Sequence, residues 1–147
     1  MPHFPTEPTS TAEVPVLDLT SLLEAKDTTS LVRRLSDACR STAFFYVRNH
    51  GIPDSVIEGA LDASKRFFEQ PLEQRLSTLK DRFHRGYLPT GTTHFPGRAP
   101  DLKDSFDIGI DLPTSHPHVQ AGLPLHGPNQ WPALPGFKQA TELYFEH

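Results

Sequence analysis

Cysteine is nearly absent, with Cys39 alone among 147 residues. One cysteine cannot close an internal disulfide, which excludes a disulfide scaffold and fits a reducing compartment. No motif that would activate a thiolate surrounds it, so Cys39 reads as a small hydrophobe on the inner face of a helix. Long apolar runs are missing as well. Nothing reaches the length of a membrane span, and Met1 to Val14 lacks the apolar core of a secretory signal; the expectation is a cytoplasmic protein with no membrane partner. Positive charge is not in excess: 14 Lys and Arg face 18 Asp and Glu, for a formal net charge of −4. The basic residues are scattered, so nucleic acid is not an expected partner. A small molecule or another protein remains.

Proline, by contrast, is plentiful at 15 residues, gathered near the N-terminus and again from Pro89 to Pro135. Regular helix is therefore expected in the middle of the chain. Residues 1–13 read as a flexible arm and residues 14–147 as one domain. Val14 to Leu19 reads as a short edge strand because Pro15 cannot donate to a central ladder. Leu31, Val32, Leu35, Ala38 and Cys39 recur at helical spacing, with Ser30 as the cap. Phe44 to Val47 reads as a buried strand. A second helix follows Pro53, with Val56, Ile57, Ala60, Leu61, Ser64, Phe67 and Phe68 as its stripe, and a short third one turns Leu72, Leu76 and Leu79 inward.

Beyond Lys80 the helical period is lost in a long loop rich in glycine and proline, of a kind that usually serves a purpose. Ser105 to Asp111 alternates as a half-buried strand with Phe106, Ile108 and Ile110 on one face. Residues 112–135 read as coil. A helical pattern starting at Gly136 carries Phe137, Ala140, Leu143 and Tyr144, and the expectation is that the chain end cuts this helix short.

Six segments, in order, resemble the N-terminal region of the isopenicillin N synthase-like oxygenases. They are VPVLDL at Val14–Leu19, AFFYVRNHGI at Ala43–Ile52, RFFEQPLEQR at Arg66–Arg75, RGY at Arg85–Tyr87, DLKDSFDIG at Asp101–Gly109 and NQWPALPGFK at Asn129–Lys138. One departure is Ala43, where the family usually has glycine. The resemblance implies an α+β fold whose N-terminal helices and strands flank and complete a double-stranded β-helix (jelly-roll) core, most of which is expected beyond this chain.

It also implies a parent Fe(II)/2-oxoglutarate-dependent dioxygenase that oxidises a small organic substrate, with the remaining C-terminal half of the oxygenase as partner. In that family two histidines and a carboxylate, written H-x-D and a later histidine, hold iron, and an R-x-S pair holds 2-oxoglutarate. Such a triad leaves positions of the metal open. No histidine here has a carboxylate two positions on. The expectation is that this chain carries neither the triad nor the R-x-S motif, has no catalytic or metal-binding residue, and binds no Fe(II) or 2-oxoglutarate alone. The alternative is a stand-alone, non-catalytic binding module derived from the same family.

Arg85 and Tyr87 are the leading candidates for substrate binding, since the family runs the segment after RGY along the active-site mouth. Arginine offers a carboxylate fork and tyrosine an aromatic wall. The competing reading packs Tyr87 on the sheet and gives Arg85 a surface ion pair. Thr92, Thr93 and His94 are further candidates for substrate contact. His50 reads as a structural residue that bonds backbone at a strand-to-helix corner. His116 and His118, separated by Pro117, make a weak metal pair and read as solvated coil. Trp131 reads as an anchor for the coil.

Overall fold

The structure, a computed structural model, describes residues 14–93 and 96–147. The expected arm, residues 1–13, lies outside the described residues, as does His94. Two compact units are present, Met1–Ile52 and Pro53–His147.

The first unit holds β1 (Val16–Asp18), α1 (Thr20–Leu23), α2 (Thr29–Ser41) and β2 (Tyr46–Arg48). β1 and β2 run parallel, with Val16 opposite Tyr46 and Asp18 opposite Arg48. Parallel neighbours need a crossover, which α2 supplies. Its start is fixed by Asp27, whose Oδ1 accepts from the Thr29 backbone N–H at 2.9 Å and the Thr29 hydroxyl at 2.6 Å. Ser30, the expected cap, is already inside the helix. Beyond the C-terminus of α2, Ala43 stands at φ 58° and donates its N–H to the Ala38 carbonyl. This left-handed position is where a helix most readily accepts glycine.

Two expectations for this unit are corrected. Cys39 is exposed, because α2 buries Ala38 and not the side chain one position on. The strand is Tyr46–Arg48 and is exposed throughout, as are Phe44 at 73% and Tyr46 at 66%. Within this unit β1 is the strand partner of β2, and among the described residues the Phe44 and Tyr46 side chains stay exposed.

The second unit contains α3 (Asp54–Phe68), α4 (Leu72–Leu76), β3 (Gly86–Leu88), β4 (Ser105–Asp107), α5 (Pro117–Gln120) and α6 (Phe137–Glu146). Its core is Ala63, Phe67, Tyr87 and Phe137, with Phe68, Phe106, Trp131, Leu134 and Ala140 packed around it. Phe67 is fully buried and meets Phe106 and Phe137 at ring separations of 4.8 and 5.3 Å, within the range of favourable aromatic pairs. β3 and β4 are antiparallel with Tyr87 opposite Phe106, so both rings reach the same core.

The helical stripes are rotated from the expected ones. On α3 the buried residues are Val56, Ala63 and Phe67, whereas Leu61 and Ser64 are exposed. Around α4 the leucines point outward, with Leu72, Leu76 and Leu79 each 40% exposed or more. Arg75 and Thr78, three positions apart, turn inward instead. The strand expected from Ser105 to Asp111 stops at Asp107, and Ile110 is exposed. The coil expected over 112–135 includes α5, where Pro117 opens the helix and His116 Nδ1 accepts from the His118 N–H.

Candidate functional site

The RGY segment sits where three stretches of backbone meet. Tyr87 N–H donates to the Thr78 carbonyl at 2.7 Å, the Lys80 N–H donates to the Tyr87 carbonyl at 2.8 Å, and β4 pairs on the other side. Gly86 is demanded by this crowding. It has φ 108°, and a Cβ there would overlap the Thr78 carbonyl oxygen.

Tyr87 is 1% exposed. Its hydroxyl donates to Asp104 Oδ2 at 2.9 Å and accepts from Arg75 Nη1 at 2.8 Å, while the same Nη1 donates to Asp104 Oδ2 at 2.7 Å. Burial, and then the Asp104 carboxylate beside it, raise the phenol above its usual range, with Arg75 opposing.

Arg85 is also buried, and among the described residues it forms no ion pair. Its guanidinium donates to the backbone carbonyls of Phe83 at 3.1 Å and Leu125 at 2.8 Å, and its Nε has no hydrogen-bond partner among the described residues. It lies against Gly109, where a Cβ would overlap the guanidinium. Asn129 mimics a neighbouring strand at Gly109, accepting from its N–H at 3.0 Å and donating to its carbonyl at 2.8 Å.

Between β3 and β4, the long loop has a bonded neck. Gly91 N–H donates to the Asp101 carbonyl at 3.1 Å, and Asp101 N–H donates to the Thr93 carbonyl at 2.8 Å. Thr92 is exposed, with its hydroxyl donating to the Pro89 carbonyl at 2.6 Å, and Thr93 is half-buried. The structure thus separates the candidates: the threonines lie on a loop rooted on Tyr87, while the Tyr87 hydroxyl and the terminal nitrogens of Arg85 are occupied inside. Sequence reading missed Arg75 and Asp104, although RFFEQPLEQR ends on the one and DLKDSFDIG contains the other.

The remaining candidates have structural surroundings. His50 Nδ1 accepts from the Ile52 N–H at 3.1 Å, the backbone role expected of it. His116, His118 and His126 stack edge to face, at ring separations of 4.9 and 5.2 Å. Among the described residues no group of three histidine, cysteine or acidic side chains is arranged to hold a metal ion. These residues do not fit an iron site by themselves.

The R-x-S expectation is corrected by the chain itself, which contains Arg34-Leu35-Ser36 and Arg75-Leu76-Ser77. Both lie at helices, Arg34 donates to the Val16 carbonyl at 2.7 Å, and Arg75 serves Tyr87 and Asp104. Neither follows an H-x-D motif.

Residues 14–134 match the family model described as non-haem dioxygenase in morphine synthesis, N-terminal. The chain belongs to this family. Clavatol oxidase of Penicillium crustosum is 34% identical over 90% of this chain and 45% of its own length. A 2-oxoglutarate-Fe(II) type oxidoreductase of Emericella nidulans is 36% identical over 80% of this chain and 35% of its own. Among solved structures, a full-length Neurospora crassa protein in complex with alpha-KG superposes with a TM-score of 0.69 at 26% identity, over 90% of this chain and 42% of that one. This non-haem dioxygenase N-terminal chain therefore spans less than half the length of the relatives it matches. No helix among the described residues is long and apolar enough to cross a membrane.

Proposed function

We propose that the chain is the N-terminal, substrate-mouth part of a non-haem Fe(II), 2-oxoglutarate-dependent oxygenase that oxidises a small organic substrate. The observation that carries this reading is the family match over residues 14–134, joined to relatives named as 2-oxoglutarate-Fe(II) enzymes. In this reading the strands and helices described here complete a jelly-roll core supplied by the remaining C-terminal half of the oxygenase. Fe(II) with 2-oxoglutarate supplies the oxidising chemistry, held by residues outside this set. This chain's own task is to shape the entrance and exclude water.

Thr92 and Thr93 offer hydroxyl and backbone groups at the loop rim for substrate contact. Arg85 and Tyr87 act from beneath, Arg85 by holding the Phe83 and Leu125 backbones together and Tyr87 by rooting the loop in the core. The test is the charge-transfer absorbance formed when Fe(II) and 2-oxoglutarate are added anaerobically to the full-length protein. A band is expected, and its absence from folded, metal-loaded protein sinks the oxygenase reading. A band from residues 1–147 alone would instead show that this part holds the iron itself.

A further inference from the structure

Tyr87 lies one residue before the end of β3, and Asp104 lies immediately before β4. The loop between them leaves and re-enters the ribbon side by side, with Leu88 opposite Ser105. Arg75, arriving from α4, reaches both ends at once. The Tyr87 ring is fixed by Phe67 at 5.8 Å and Phe68 at 6.5 Å, so its hydroxyl is a stationary anchor in the core. Asp104 takes two hydrogen bonds at that anchor, and the ion pair is sheltered, with side chains 18% and 28% exposed. Above it the Gly91–Asp101 and Asp101–Thr93 bonds close the neck.

We infer that Arg75, Tyr87 and Asp104 form a clamp that fixes both ends of the β3–β4 loop and are positioning residues for the substrate mouth. This rests on the oxygenase reading for the word mouth, but the clamp itself is independent of it. A purely stabilising ion pair would strengthen the whole unit. A clamp acts on the neck first.

In full-length protein, Tyr87→Phe keeps the ring and removes the hydroxyl, while Asp104→Asn keeps the shape and removes the charge. Both variants should speed amide exchange at Gly91 and Asp101 at least tenfold while the α3 amides keep their wild-type rates. Tyr87, labelled at its phenol carbon, should titrate at lower pH in Asp104→Asn than in wild type. Unchanged neck protection, equal acceleration in α3, or an unmoved phenol titration each overturns the clamp. The Fe(II) and 2-oxoglutarate band of the wild type, read first, separates the two ideas. If it is missing, the mouth falls whatever exchange shows; a band with unchanged neck exchange removes the clamp alone.

Discussion

The Tyr87 hydroxyl donates to Asp104 Oδ2 at 2.9 Å from a ring that is 1% exposed. Burial and the adjacent carboxylate both favour the neutral phenol, so its folded pKa lies above the unfolded value. The associated stability is fully present below the ordinary tyrosine pKa and is lost as pH rises through the raised one. Denaturation midpoints in alkaline solution should therefore fall less steeply with pH for Tyr87→Phe than for wild type. Parallel curves would show that Tyr87 does not titrate differently in the folded state.

Ala43 stands in the left-handed region at φ 58°, where the resemblance leads one to expect glycine. A side chain there costs roughly 1 kcal/mol relative to glycine, because Cβ approaches the neighbouring carbonyl. Part of that is returned through the greater freedom of glycine in the unfolded chain. Ala43→Gly should raise stability by about 0.5 kcal/mol in urea titrations. A loss of stability would mean that the methyl group contributes packing worth more than the backbone strain.

Gly109 carries the Arg85 guanidinium directly on its backbone. Gly109→Ala should destabilise by about 1–3 kcal/mol, the usual cost of forcing atoms into a filled site. Shortening Arg85 to alanine should relieve that overlap, so the double variant should lose less than the sum of the two single ones. Additive losses in a denaturation cycle would place the overlap elsewhere.

Asp18 gathers the Thr20 hydroxyl and backbone N–H, Asn49 and Arg48, and these partners, Thr20 foremost, hold its carboxyl far below the usual range. Its contribution is present above the ordinary aspartate pKa and disappears as pH falls through the depressed one. Asp18→Asn should loosen the β1–β2 pairing at neutral pH, seen as faster exchange at the Tyr46 and Leu19 amides. Identical exchange in variant and wild type would remove Asp18 from the account.

Phe67 and Leu61 separate core from surface on one helix. Phe67→Ala should cost about 3–5 kcal/mol through lost burial and the cavity left behind. Leu61, 65% exposed although it belonged to the expected stripe, should tolerate alanine within about 0.5 kcal/mol. Chemical denaturation of the two variants distinguishes these outcomes directly.

The sequence by itself determined the order of the main elements and the family. Helical spacing before and after Pro53 announces α2 and α3 whatever surrounds them, because periodicity is local and the proline boundary is steric. Alternation around Phe106 likewise places a strand, and the six segments locate RGY and the loop that follows it. Direction is another matter. Leucine spacing turned Leu72, Leu76 and Leu79 inward, yet Arg75 and Thr78 face the core; helical spacing put Cys39 inside, yet Ala38 holds that place. Which face is buried depends on what a helix meets, and that is decided by residues far along the chain. Tyr87 makes the same point for the candidate site. Its chemistry as an aromatic wall is legible in RGY, but its occupation by Arg75 and Asp104 comes from residues 12 and 17 positions away. Only the tertiary structure brings those three together, because no local periodicity links a helix, a strand and the far end of a loop.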